Sequence, residues 1–205
     1  MKKHVLVTGG SRGIGRAIVQ RYHDAEYLVM APERRELDLT SVDSVQEYFR
    51  RYSDLEVTIL VNNAAVNVIR PLVDLPLEDW QRTLTVNLTA PYVLIQHVVR
   101  SMIRKQWGRI VNVSSCYSVV SRARRAAYSA SKAGLNGLTR AAALEYAASN
   151  ILVNAICPGF VDTEMTRRNN TPAEIEQLCQ QIPLHRLATP EEIASAAFFL
   201  GSDQN

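Results

Sequence analysis

The 205-residue chain predicts an α/β fold, a single doubly wound parallel sheet with helices on both faces. Three observations carry that expectation. Short unbroken apolar runs alternate with stretches of helical periodicity along the whole length. The first run leads directly into the glycine-rich Thr8-Gly9-Gly10-Ser11-Arg12-Gly13-Ile14-Gly15. Later runs end in polar residues, Asn62-Asn63 and Ser114-Ser115, at the strand ends where open α/β sheets bind ligands.

Val5-Leu6-Val7 reads as the first strand, and Ala17, Ile18 and Tyr22 continue at helical spacing after the glycines. Strand, glycine loop and helix in that order let the backbone approach a pyrophosphate and point free N–H groups at it. A second strand spans Tyr27 to Ala31, and Leu37 to Thr40 reads as a very short third. Ser41 is a good N-cap for a helix with Val42, Val45, Phe49 and Tyr52 on one face, ending near Ser53. Val57 to Val61 is a buried strand. Beyond Pro71 and Pro76 a long helix runs from about Leu77 to Lys105, with Pro91 expected to kink it. Arg109 to Val113 and Ile151 to Ile156 are strands on either side of a helix over about 127–149. Polar Thr163 to Pro183 opens a substrate flap at about 163–187, with a helix near Pro172 to Gln181, and Thr189 caps a last helix ending near Leu200. The reading is one domain over 1–205, with about six strands in the order 3-2-1-4-5-6.

Hydrophobic residues are 47% and charged residues 21%, the balance of an ordinary soluble protein. A formal charge of +3 without a long basic run argues against a nucleic-acid partner. The basic start Met1-Lys2-Lys3-His4 precedes only three apolar residues, so neither a signal peptide nor a membrane span is read, and a cytoplasmic location is expected. Cys116, Cys157 and Cys179 have no metal-ligand spacing and suggest no disulfide framework, so no metal is expected.

The chemistry centres on Tyr128-Ser129-Ala130-Ser131-Lys132. On a helix, Tyr128 and Lys132 share a face, and a cation beside a phenol lowers its pKa towards the range of a general acid or base. Alone, that spacing is common on plain helix faces. In combination with Thr8-Gly9-x-x-x-Gly13-Ile14-Gly15, Asn62-Asn63-Ala64-Ala65, Asn87, Ser115 thirteen residues before Tyr128, and Pro158-Gly159 with Thr163, it resembles the short-chain dehydrogenase/reductase family over nearly the whole chain. The resemblance implies a Rossmann fold and a catalytic set of Asn87, Ser115, Tyr128 and Lys132. Tyr128 would exchange a proton with the substrate oxygen, Lys132 would depress the Tyr128 pKa and hold the nicotinamide ribose, Ser115 would orient the oxygen, and Asn87 would hold a water linking Lys132 to solvent. For Asn87 the plain alternative is a buried amide satisfied by backbone, and for Ser114 a strand-end turn residue.

The same resemblance assigns a dinucleotide to Gly9, Ser11, Arg12, Gly13, Ile14 and Gly15, its adenosine side to Asp38, Leu39, Asn62 and Ala64, and its nicotinamide side to Tyr128, Lys132, Pro158, Gly159, Val161 and Thr163. NADP(H) is expected over NAD(H), because Arg12 with Arg34 or Arg35 can pair with a 2′-phosphate, although Glu33 argues the other way. The family's last strand is not read in Gly201 to Asn205, which favours a homodimer over a homotetramer. In pattern the chain is similar to the 3-oxoacyl-acyl-carrier-protein reductases, implying reduction of a 3-oxoacyl or similar small-molecule ketone, free or carrier-bound. Arg122, Arg124 and Arg125 between Ser115 and Tyr128 can attract an anionic substrate or an acidic carrier, or can form a solvated loop. The alternatives are an alcohol or sugar dehydrogenase working oxidatively and a non-catalytic dinucleotide-binding sensor.

Overall fold

A computed structural model describes residues 3–53 and 56–205. Met1 and Lys2 of the basic start lie outside the described residues, as do Asp54 and Leu55. In chain order the elements are β1 (His4–Val7), α1 (Gly13–Asp24), β2 (Leu28–Met30), α2 (Val42–Arg51), β3 (Val57–Asn62), α3 (Leu77–Leu84), α4 (Ala90–Lys105), β4 (Gly108–Val113), α5 (Ala126–Tyr146), β5 (Ile151–Ile156), α6 (Glu164–Asn169), α7 (Pro172–Gln181) and α8 (Pro190–Gly201).

Among the described residues the strands form one parallel sheet in the order β2-β1-β3-β4-β5. Alternating side chains feed two cores, as the two-residue repeat of a strand requires. Leu6, Leu60, Ile110 and Val153 face one side and pack with α2, α4 and α5 through Val45, Leu94, Val98 and Ala142. Their neighbours Val5, Val7, Ile59, Val61 and Val111 face the other side, against Ile18 and Tyr22 of α1 and Ala197 and Phe198 of α8. The apolar runs are unbroken because both faces are covered.

Two expectations about the elements are corrected. Leu37 to Thr40 is no strand, so among the described residues the sheet has five strands where about six were expected, the remaining order being unchanged. The Asp38 carboxylate accepts from both the backbone N–H of Thr40 (2.9 Å) and its hydroxyl (2.8 Å), folding the segment into a turn. Leu37 is buried there as a core residue, which explains its apolar signal.

The helix expected over 77–105 is broken by a π-helical segment, Thr85–Thr89. Pro91 has no N–H to give the Asn87 carbonyl four residues earlier, and the ladder slips to the wider spacing, with the Ala90 N–H bonding to the Thr85 carbonyl. The capping expectations hold: the Ser41 hydroxyl accepts from the Ser44 N–H, and Thr189 and Glu192 form a reciprocal capping box. The helix read at Pro172–Gln181 is α7. Its short neighbour α6 was not anticipated.

Candidate active site

The glycine loop is tied to the segment that follows β3. The Thr8 hydroxyl accepts from the backbone N–H groups of Asn63 (3.0 Å) and Ala64 (3.1 Å), and Asn63 Nδ2 donates to the carbonyls of Thr8 (3.0 Å) and Gly9 (3.1 Å). Gly9 and Gly13 adopt φ of +65° and +51°, in the left-handed region open to glycine. Gly15 sits against the loop so closely that a Cβ would lie 2.0 Å from the Gly9 carbonyl oxygen.

The loop delivers the N-terminus of α1 to the carboxyl edge of the sheet. Its N-cap Arg12 makes no side-chain cap, and the first turn has no acidic residue. The first-turn N–H groups of this twelve-residue helix therefore keep their capacity for an anion, which is the chemistry a pyrophosphate needs. A groove of about 1750 Å³ runs from there across the sheet edge, long enough in its lining to pass from Asp38 to Thr163. These features fit a nicotinamide dinucleotide.

Most of the residues expected to hold the dinucleotide line this groove: Gly9, Ser11, Arg12, Gly13, Ile14 and Gly15 at the loop, Arg34, Asp38, Leu39 and Ala64 at one end. Pro158, Gly159, Val161, Thr163, Tyr128 and Lys132 are at the other. Asn62 is the exception. It is buried within the sheet and donates to Asn112 Oδ1 at 2.8 Å, so it ties β3 to β4 while its neighbour Asn63 reaches the loop. Adjacent strand residues point to opposite faces, and the sequence alone could not say which amide faced the groove.

The arginines expected near a 2′-phosphate are all paired with carboxylates. Arg34 bonds to Asp38 (3.3 Å), Arg35 to Glu33 (3.1 Å) and Arg12 to Glu164 (2.9 and 3.0 Å). The arginines are exposed, as are Glu33 and Glu164, while Asp38 is half-buried; pairs of this kind are worth roughly 0–1 kcal/mol each, so a phosphate can exchange into them at little cost.

Ser115, Tyr128 and Lys132 line the groove together below its Pro158-Gly159 end. Lys132 is 2% exposed; its ammonium donates to the Val113 carbonyl at 2.7 Å and lies 5.7 Å from the Tyr128 ring centroid. Burial brings the Lys132 ammonium down to about 8. Burial likewise pushes the Tyr128 phenol up from its ordinary value, with the Ser115 hydroxyl and the Arg125 guanidinium pulling it back. At Tyr128 desolvation outweighs the nearby charges, a direction opposite to the depression implied by the Lys132 pairing. Ser114 bonds to the Lys132 carbonyl at 3.3 Å, as a strand-end residue fastening α5.

Asn87 stands on the π-helical segment and does not reach the groove. Its Oδ1 accepts from the Val66 N–H (2.9 Å), and its Nδ2 donates to the Val66 carbonyl (2.9 Å) and the Ser131 hydroxyl (3.0 Å). The side chain is thus the buried amide satisfied by backbone, and it fixes the segment after β3 against α5. Two residues beside Tyr128 went unremarked or undistinguished in the sequence. Arg125 is buried where Arg122 and Arg124 are exposed, and Asn67 joins it in a cleft of about 470 Å³ with Tyr117, Tyr128, Phe160 and Met165. The Tyr117 ring stands perpendicular to both Tyr128 (6.4 Å) and Phe160 (6.2 Å). Val66, Tyr117, Phe160 and Met165 were legible in the sequence as pocket residues that could equally be core, and the last three line this cleft while Val66 lines the groove.

A family model described as enoyl-(acyl carrier protein) reductase matches residues 31–205. The 3-oxoacyl-[acyl-carrier-protein] reductase of Aquifex aeolicus is 38% identical, over 97% of this chain and 89% of that protein. The chain belongs to the short-chain dehydrogenase/reductase family. It is by that membership an NAD(P)-dependent oxidoreductase. Among solved structures, a 4-hydroxyisoleucine dehydrogenase complexed with NADH superposes with a TM-score of 0.93 at 28% identity, covering 99% of this chain and 92% of that one. A Beutenbergia cavernae protein assigned as an NAD(P)-dependent gluconate 5-dehydrogenase, with NADP bound at low occupancy, gives 0.88 at 31% identity, covering 98% and 90%. The short-chain dehydrogenase/reductase relatives thus include binders of either dinucleotide. No helix among the described residues is long and apolar enough to cross a membrane.

Proposed function

We propose that this enzyme interconverts a ketone and a secondary alcohol, working as an NADPH-dependent reductase of a 3-oxoacyl or similar small ketone. The observation that carries this reading is the meeting of Ser115, Tyr128 and Lys132 at one end of the groove. The Tyr128 phenol is protonated at neutral pH and gives its proton to a carbonyl oxygen. When bound, the dinucleotide supplies the hydride. Ser115 donates a hydrogen bond to the same oxygen and orients it, and the Tyr128 proton neutralises the charge that develops there. Lys132, seated under the groove by Val113, holds the ribose side of the cofactor and favours the phenolate left after proton transfer.

Reprotonation of Tyr128 runs through Lys132 to a water at the Asn87 carbonyl. The support for this is local: Pro91 leaves that carbonyl without its usual helical partner, while the Asn87 side chain locks the turn in place. The segment 163–187, with α6 and α7, serves as the substrate flap of a single domain over 1–205. NADP(H) preference rests on Arg12, Arg34 and Arg35, exposed guanidiniums whose carboxylate partners yield to a phosphate. A homodimer through α4 and α5 is supported by exposed Tyr92, Ile103 and Leu144. A cytoplasmic setting follows from the reductase reading.

The test is NADPH and NADH oxidation at 340 nm against acetoacetyl thioesters, diketones, quinones and keto-sugars, with Tyr128→Phe alongside. The variant should lose about 10²–10⁴-fold in turnover and keep dinucleotide binding. Full activity in Tyr128→Phe refutes the mechanism, and a Michaelis constant lower for NADH than for NADPH refutes the cofactor assignment.

A further inference from the structure

Beside the proton-donating Tyr128 lies a buried cation with nothing to neutralise it. Arg125 is 5% exposed, and its Nη1 is fully buried without a hydrogen-bond partner. Among the described residues its guanidinium enters no ion pair, and its neighbours Arg122 and Arg124 carry the same charge. Its one companion is the Tyr117 ring, whose centroid is 6.0 Å from Cζ. A buried charge is costly to leave unpaired, and arginine in particular offers a planar fork matched to a carboxylate.

A second orphan lies nearby: Asn67 Oδ1 is buried without a partner, and a half-turn of the carboxamide exchanges it for the NH2. Two polar residues from separate segments, the chain after β3 and the start of α5, each with one unpartnered buried atom, thus line the cleft that also holds Ser115 and Tyr128, where a small rotation of either side chain brings its donor to a ligand. Arg125 is three residues before Tyr128, so the two side chains rise from neighbouring points at the start of α5.

We infer that Arg125 and Asn67 form a carboxylate-binding subsite, and that the substrate is a short oxo acid presented with its acid group free. This rests on the carbonyl-reductase reading and narrows it. A thioester leaves Arg125 buried and unpaired, whereas a free carboxylate accepts a charge-assisted pair from it and fixes the carbonyl over Tyr128 and Ser115. The reaction itself is unaltered: one hydride and one proton reach the carbonyl carbon and oxygen, and the carboxylate leaves as it arrived. Exposed Arg122 and Arg124 remain free to draw anions to the mouth.

The experiment compares acetoacetate with methyl acetoacetate, the same ketone with its charge masked, using wild type, Arg125→Met and Arg125→Lys. Wild type should favour the acid in kcat/KM by about 10- to 100-fold; Arg125→Met should bring the ratio near one, and Arg125→Lys should restore part of it. Equal use of acid and ester by wild type, or an acid preference that survives in Arg125→Met, overturns the subsite while leaving the reductase reading intact. Calorimetry on the NADP+ complex supplies a readout without turnover, with butyrate against butyramide. Butyrate binding in wild type that is absent in Arg125→Met sustains the subsite even if neither ketone is reduced, a result that would count against the reductase reading alone. No preference for butyrate over butyramide overturns it.

Discussion

Gly15→Ala probes the packing of the loop against α1. A Cβ at residue 15 would lie 2.0 Å from the Gly9 oxygen, 2.5 Å from Asn63 Nδ2 and 2.8 Å from the Gly9 carbonyl carbon, where real Cβ contacts stay above 3.0 Å. Relief needs a movement of about 1 Å between loop and helix, and two of the three atoms are backbone that cannot rotate away. Overpacking of this kind costs about 1–3 kcal/mol, and disturbing the Asn63 hydrogen bonds adds about 1 kcal/mol each, against about 1 kcal/mol gained from alanine's helix propensity. The net loss of about 2–4 kcal/mol corresponds to a Tm lowered by roughly 4–16 °C in a chain of this size. Displacement of the N–H groups by that distance should weaken dinucleotide binding about 100-fold. Differential scanning calorimetry and titration calorimetry with NADP+ read the two effects. Gly159→Ala is the internal control for stability, because no heavy atom lies within 4 Å of a Cβ there, and its Tm should stay within about 2 °C of wild type. Wild-type Tm and affinity in Gly15→Ala would refute the close-approach argument.

Asn87→Ala strands the Val66 N–H and carbonyl, so urea denaturation should show a loss of about 2–5 kcal/mol; a change below about 1 kcal/mol would remove Asn87 from its anchoring role. Lys132 gives a pH signature. Its folded value of about 8 lies below the ordinary lysine value of 10.5, so folding penalises the charged form. Below pH 8 both states carry the charge and the penalty is complete; from about 8 to 10.5 the unfolded chain binds more protons, and stability rises with pH. Lys132→Met should therefore gain stability relative to wild type near pH 7, with the difference shrinking by up to about 3 kcal/mol by pH 10.5; a difference independent of pH would sink the desolvation argument.

How much of this was legible beforehand follows from the kind of signal each part leaves. The sheet's alternation and the caps at Ser41 and Thr189 are local, and each is a pattern over a few residues. The Leu37 to Thr40 strand failed because an apolar residue anchoring a turn has the same composition as one in a short strand, and the Asp38–Thr40 turn decided between them. Pro91 signalled an interruption, but its form depended on which carbonyl lacked a donor. In the site, residue types at family spacing located the groove, yet not Asn63 in place of Asn62, nor the buried Arg125 among three similar arginines. Those distinctions are made by strand facing and burial, which depend on the whole fold.

The Arg12–Glu164 bridge joins the glycine loop to the start of α6, spanning two walls of the groove. Its side chains are 63% and 62% exposed, so water and salt screen it and opening it costs at most about 1 kcal/mol, less than a tenfold change in an equilibrium constant. A clasp that weak cannot hold the groove shut. It biases α6 towards the loop, and on the proposed dinucleotide reading release of the spent cofactor should quicken as ionic strength rises.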